Sequence, residues 1–138
     1  MITSERKLII ILLTLMLDVS FIYILITEKL NTFDCKYIYS LLLTHVIFIT
    51  AMLYNKKLII DICHCLVFVG IYLGIVIENT KILLILFTLS FIQCMLKYIF
   101  GECILCTSKL SMFGKIVDEY NQYSVYLIMG ILLYKILM

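Results

Sequence analysis

The sequence is poor in several residue types that soluble domains use freely. Its 138 residues contain no proline, no tryptophan, one arginine (Arg6) and one alanine (Ala51). Only 14% of the residues are charged, whereas an ordinary soluble domain has about 25%. Because proline is missing, no helix of this chain is broken by a residue that lacks a backbone N–H. The shortage of charge excludes the surface of an ordinary water-soluble domain.

Apolar residues take the place of the missing polar ones. They make up 64% of the sequence, and the mean hydropathy is +1.16. We therefore predict that residues 1–138 form a single integral membrane domain, whose partners are the lipid bilayer and other membrane proteins or further copies of the chain. The net charge is only +2 and the basic residues cluster in pairs at most, so we expect no nucleic acid partner.

Four apolar runs have about the 20 residues that a helix needs to cross a hydrocarbon core of ~30 Å. They cover residues 8–27, 37–54, 58–77 and 82–100. The first run is too long for a cleaved signal peptide. Gly101 follows the fourth run, where a glycine commonly ends a helix. The short polar connectors between the middle runs predict antiparallel neighbouring helices.

The C-terminal part of the chain has two further helical patterns. Residues 107–121 place apolar side chains on one stripe at helical spacing, which predicts an amphipathic helix lying in the membrane interface. Residues 123–138 form a shorter apolar run, in which Lys135 could extend to the far membrane surface. The predicted fold is thus an all-α polytopic transmembrane bundle of about five membrane helices and one interfacial helix.

The distribution of basic residues predicts the orientation of the bundle. With the N-terminus in the cytosol, the basic residues on the inner side are Arg6, Lys7, Lys56, Lys57, Lys97, Lys109 and Lys115. The outer side then holds Lys29, Lys36, Lys81 and Lys135. Because basic residues are more frequent on the cytosolic side, we predict a cytosolic N-terminus and a C-terminus on the outer side.

Five polar side chains interrupt the apolar runs and are candidate site residues: Asp18, His45, Asp61, His64 and Gln93. A charge at the bilayer centre costs about 2.5–3.5 kcal/mol on insertion scales, so such residues usually face the bundle interior and have a partner. Asp18 and His45 lie at matching depth in consecutive runs, and we predict that they form a pair. The pair could form part of a proton or cation path, or it could hold two helices together.

Two spacings carry further interpretations. Gly70 and Gly74 form a G-x-x-x-G motif, which is typical of a close helix contact but also arises by chance. Cys103 and Cys106 form a Cys-x-x-Cys pair next to a predicted helix start, where the thiol pKa is lowered and reactive dithiols occur. A zinc site shared with the Cys63–Cys65 segment is a weaker alternative, since neighbouring helical residues point in different directions, and we predict no metal site.

The segment from Glu102 to Cys106, "ECILC", with Lys109 and Phe113-Gly114 after it, resembles the motif of vitamin K epoxide reductases and of the bacterial disulfide-bond protein DsbB. The resemblance implies a helical bundle in which Cys103 and Cys106 pass electrons to a quinone cofactor. Such enzymes need a second cysteine pair on the same side, and Cys35 is predicted on the opposite side. We therefore expect two reduced thiols without a catalytic role, and no cofactor.

The layout of the whole chain resembles the small multi-span membrane proteins that large DNA viruses encode. The likeness lies in His45, the turn at residues 55–57, His64 and the Cys-Ile-Leu element at residues 103–105. It implies a host or virion membrane but no particular activity. The predicted function is a non-enzymatic integral membrane protein with a structural or interaction-making role. A thiol–disulfide oxidoreductase and a small proton or cation conductor are the two alternatives.

Overall fold

A computed structural model describes residues 3–101, 103, 111 and 114–138. These residues form α-helices and contain no β-strand, which confirms the predicted all-α class. The helices are α1 (Thr3–Thr27), α2 (Thr32–Leu53), α3 (Lys57–Leu73), α4 (Thr80–Phe100) and α5 (Gly114–Leu137). A 3₁₀ turn, Gly74–Val76, prolongs α3. Gly101 ends α4 in the left-handed region with a φ of 70°, as the sequence predicted.

Four of the described helices are long and apolar enough to cross a membrane. They cover Ser4–Thr27, Thr32–Leu53, Lys57–Val76 and Thr80–Phe100, and they correspond to the four predicted runs. Large apolar side chains point outward from each of them, for example Val19, Leu43, Val69 and Phe91. Such an outer surface is compatible with the hydrocarbon of a bilayer, because contact between these apolar side chains and water would be unfavourable.

The last helix differs in its bounds from the sequence prediction. α5 is continuous from Gly114 to Leu137, whereas the sequence predicted an interfacial helix over 107–121 and a separate helix over 123–138. No glycine or proline stands between Gly114 and Gly130 to end a helix, which explains the continuity. The apolar part of α5, Ser124–Leu137, is shorter than the four spans. Residues 104–110, 112 and 113 lie outside the described residues, so the interfacial location stays a prediction.

Glycines of α3 allow the helices to approach closely. A Cβ atom added at Gly74 would lie 2.8 Å from Leu86 Cδ1 of α4, and one added at Gly70 would lie 3.1 Å from Leu41 Cδ2 of α2. Both distances are shorter than ordinary van der Waals contact. Of the two interpretations of the G-x-x-x-G motif, the close helix contact is therefore present, and it involves two different neighbouring helices.

A cluster of polar residues, which we call the polar clasp, joins the start of α2 to the start of α4. It consists of Asn31, Asp34, Glu78 and Asn79. The Asp34 carboxylate accepts hydrogen bonds from the backbone N–H groups of Asn79 at 2.9 Å and Glu78 at 3.4 Å. Asn31 caps α2, and its Nδ2 donates to Glu78 Oε2 at 2.8 Å. Asp34 lies between the first two predicted apolar runs, which end at residue 27 and begin at residue 37, but it is only 1% exposed.

Candidate functional site: a cavity between α1 and α4

A cavity of about 340 Å³ lies between α1 and α4, and side chains of α2 and α3 form its back wall. Most of its lining is apolar. The polar residues of the lining are Thr14, Ser20, His45, His64, Thr88 and Gln93. Met16 and Leu84 also line it, and they are 68% and 52% exposed, so the cavity reaches the outer surface of the bundle. If the four apolar helices cross a bilayer, this opening faces lipid.

Asp18 and His45, which the sequence predicted to pair, are in contact. Asp18 Oδ1 lies 2.6 Å from His45 Nδ1, and the two side chains are 15% and 5% exposed. When Asp18 is ionised, Nδ1 must carry the hydrogen, because a carboxylate can only accept. Nε2 is then the ring nitrogen that His45 can offer to a molecule in the cavity. The pair can thus hold α1 against α2 and can also exchange a proton with the cavity.

Gln93 is the second polar residue of α4 in this wall. Its Oε1 atom is buried and has no hydrogen-bond partner among the described residues. The sequence singled out Gln93 by its mid-helix position, but the absence of a partner depends on packing that no local pattern encodes. A buried acceptor in this state is unusual in a folded protein, since nearly all of them are paired.

Asp61 and His64 share a face of α3, as predicted, but they have different partners. The Ser111 hydroxyl donates a hydrogen bond to Asp61 Oδ1, which attaches the segment after α4 to α3. His64 lies against the Phe68 ring, with 4.8 Å between the ring centroids, and it lines the cavity. Ser111 could not be identified from the sequence, because no pattern links it to a residue 50 positions earlier.

The cysteines do not form a metal site within the described residues. No three Cys, His, Asp or Glu side chains there lie close enough to hold an ion. Cys63 is buried whereas Cys65 is exposed, so the two thiols point away from each other. Cys103 Sγ lies 4.0 Å from His64 Nε2. Cys106 lies outside the described residues.

Cys35 and Cys103 lie at opposite ends of the bundle. Cys35 is in the first turn of α2, beside the polar clasp that also holds the start of α4. Cys103 follows the other end of α4, a helix of 21 residues and therefore about 31 Å long. Exchange between these two thiols in this fold is excluded by that distance.

No protein-family model, no curated protein and no solved structure matches this chain. The interpretation of the cavity therefore depends on its shape, its lining and the pairing of its polar groups. By these criteria it is the candidate functional site: a concave, mainly apolar space with a few polar groups that converge on it.

Proposed function

We propose that the chain is a non-enzymatic integral membrane protein that binds a lipophilic partner in the plane of the bilayer. The observation that carries this proposal is the cavity between α1 and α4, which is mostly apolar and opens between exposed Met16 and Leu84. The carboxylates of Asp18 and Asp61 are each bound to a partner, which suits a structural role. Sites for small molecules have this combination of apolar walls and few polar groups.

The proposed topology has five membrane helices, a cytosolic N-terminus and a C-terminus on the outer side. The segment before the apolar part of α5, Ser124–Leu137, lies in the membrane interface, and the membrane is that of a host cell or a virion. Glycosylation sites added at each terminus, or cysteine accessibility at both ends, test this topology. Glycosylation of an acceptor at the C-terminus only is expected. Both termini on one side would overturn the five-span arrangement.

The binding role is tested by filling the cavity. Ser20 lines it, whereas its neighbour Val19 is 67% exposed on the outer surface. The protein would be reconstituted in phosphatidylcholine vesicles with a monoacylglycerol that carries a diazirine on its acyl chain, and cross-linked peptides would be identified by mass spectrometry. Ser20→Phe should remove cross-links to cavity residues of α4, and Val19→Phe should leave them unchanged. Equal labelling in both variants would contradict a binding cavity.

A small proton or cation conductor is the first alternative, and the Asp18–His45 contact in the cavity wall favours it. The pair would pass a proton between the carboxylate and the imidazole. This function predicts a flux into liposomes that Asp18→Asn abolishes without loss of expression. A protein without flux, or an Asp18→Asn variant that fails to fold, assigns the pair a structural role.

A thiol–disulfide oxidoreductase is the second alternative, and the position of Cys103 beside His64 favours it, because His64 also lines the cavity. The Cys103 and Cys106 thiols would lose two electrons and two protons to a quinone, which would give a disulfide and a hydroquinone. Mass spectrometry of protein alkylated in cells tests this. A Cys103–Cys106 disulfide that a quinone restores after reduction would support the enzyme; reduced thiols and a silent Cys106→Ser would exclude it.

A further inference from the structure

Gln93, which lines the cavity, carries one acceptor that no described residue uses. Gln93 Oε1 is buried and has no partner among the described residues. In water such an atom would be hydrated, but in a hydrocarbon environment the carbonyl loses that hydration and gains nothing in return. A donor supplied by a bound molecule would remove this penalty. Gln93 therefore determines what kind of molecule the cavity favours.

The neighbouring hydroxyl groups of the wall do not supply this donor. Thr14, Ser20 and Thr88 each donate their hydroxyl hydrogen to the backbone carbonyl four residues earlier, at 2.9, 2.9 and 2.8 Å. His45 Nδ1 is occupied by Asp18. These bonds leave the hydroxyl hydrogens directed along their own helices and away from the cavity.

The charge of the wall selects a neutral molecule. The described lining of the cavity includes no Lys, Arg, Asp or Glu side chain. Asp18 is not part of this lining, and its carboxylate lies 2.6 Å from His45 Nδ1. A charged headgroup would therefore enter an apolar space without a counter-ion, which is strongly unfavourable.

The size and shape of the cavity suit one alkyl chain. An apolar cavity of about 150 Å³ holds one benzene ring, so 340 Å³ corresponds to roughly a dozen carbon atoms. The lining of α1 extends from Ile10 to Ser20, which is about 15 Å along the helix. The cavity volume divided by this length gives a mean cross-section of roughly 20 Å². A cross-section of that size has room for a single extended alkyl chain but not for a fused ring system.

We propose that the cavity binds a neutral single-chain lipid whose head group carries a hydroxyl or amide hydrogen, and that this hydrogen is donated to Gln93 Oε1. The inference rests on the proposed binding function, which it makes specific. His45 Nε2, on the same wall, is the second group that a hydroxyl can meet, since a hydroxyl both donates and accepts. A phospholipid acyl chain lacks the donor and is disfavoured.

The experiment compares two probes that differ only in the donor: dodecan-1-ol with a terminal diazirine, and its methyl ether. The full-length protein in phosphatidylcholine nanodiscs is irradiated with each probe, and cross-links to α1 and α4 are quantified by mass spectrometry. The alcohol should label the cavity about tenfold more than the ether, which corresponds to about 1.4 kcal/mol for one hydrogen bond.

Two variants test the role of Gln93. Gln93→Leu should bring the labelling ratio of alcohol to ether close to one. Ser90→Ala is the matched control, because Ser90 lies on the same helix outside the cavity lining and its hydroxyl already donates to the Leu86 carbonyl, and it should keep the wild-type ratio. Gln93→Met replaces Gln93→Leu if that variant does not fold.

The outcomes separate this inference from the function on which it rests. Equal labelling of the wild-type cavity by both probes would overturn the donor requirement and leave a binding cavity that accepts any chain. The absence of cavity labelling by either probe would overturn the binding function itself. A tenfold ratio that survives Gln93→Leu would assign the recognition to a different group.

Discussion

Removal of one member of the Asp18–His45 pair should destabilise the protein more than removal of both. His45→Leu leaves the Asp18 carboxylate, which is 15% exposed, without its partner at 2.6 Å. In a soluble protein such a loss costs about 3–5 kcal/mol. Hydrogen bonds between membrane helices are weaker, about 0.6 kcal/mol on average and 1.7 at most, because helices separated in the membrane also find partners. We therefore expect a loss of about 1–3 kcal/mol in unfolding free energy.

The double variant, Asp18→Leu with His45→Leu, removes both polar groups and replaces them by side chains that suit the bundle interior. Its loss should be smaller than that of His45→Leu alone, because no carboxylate remains to be buried without a partner. Asp18→Asn should fall between the wild type and Asp18→Leu, since the amide oxygen still accepts from His45 Nδ1. Thr50→Val on the exposed face of α2 is the control, with an expected change within about 0.5 kcal/mol.

The measurement is unfolding in mixed micelles by titration with sodium dodecyl sulfate, followed by circular dichroism. The double-mutant cycle gives the coupling energy between the two side chains, and at least 1 kcal/mol is expected. Additivity of the two single variants within about 0.5 kcal/mol would refute the reasoning, because independent sites behave in that way. It would mean that the contact does not hold α1 against α2.

Three further predictions test the packing of the bundle by the same titration or by labelling. Gly74→Ala should lower the unfolding free energy by about 1–3 kcal/mol, because the new Cβ lies 2.8 Å from a leucine of α4. Gly130→Ala is its control: the added Cβ meets nothing within 4 Å, so the unfolding free energy should stay the same or rise. Tyr37→Phe should cost about 1 kcal/mol, because it removes a 2.8 Å hydrogen bond to α3. N-ethylmaleimide should modify the exposed Cys65 in detergent much faster than the buried Cys63. Equal rates of modification would contradict the orientation of α3 about its axis, which turns Cys63 inward and Cys65 outward.

The helices and the Asp18–His45 contact were predictable from the sequence because both depend on local patterns. A run of about 20 apolar residues has few alternatives to a membrane helix. Residue 18 lies nine positions before the end of the first predicted run, and residue 45 lies eight positions after the start of the second. In antiparallel helices these positions have nearly the same depth, so two polar side chains there are expected to meet.

The contacts of Asp34 and Ser111 could not be predicted, because each joins parts of the chain that lie far apart in sequence. Asp34 accepts from backbone groups 44 and 45 residues later, and Ser111 donates to a carboxylate 50 residues earlier. A connector residue with a short polar side chain usually belongs to a solvated loop. Only the folded chain shows that these two side chains close opposite ends of the bundle.

The cavity depends on helices that are not consecutive, and its existence is a matter of side-chain volume. α1 and α4 face each other across the cavity, and its lining includes the small side chains of Thr14, Ser20 and Thr88 among larger apolar ones. Periodicity can assign these residues to an inner face but cannot decide whether the opposing faces touch. The sequence therefore predicted a mid-helix Gln93 without indicating what it faces.

The pairing of the polar groups separates structural residues from the candidate binding residue. Three carboxylates have a partner on another part of the chain: Asp18, Asp34 and Asp61. In each case the hydrogen bond offsets the cost of burying the carboxylate and holds two parts of the bundle together. The Oε1 atom of Gln93 is also buried, but it has no hydrogen-bond partner among the described residues to offset the cost of its burial. A leucine at that position would pack without this penalty, since an apolar side chain leaves no acceptor unpaired. Under the proposed binding function, Gln93 Oε1 is the acceptor for a donor on the bound molecule.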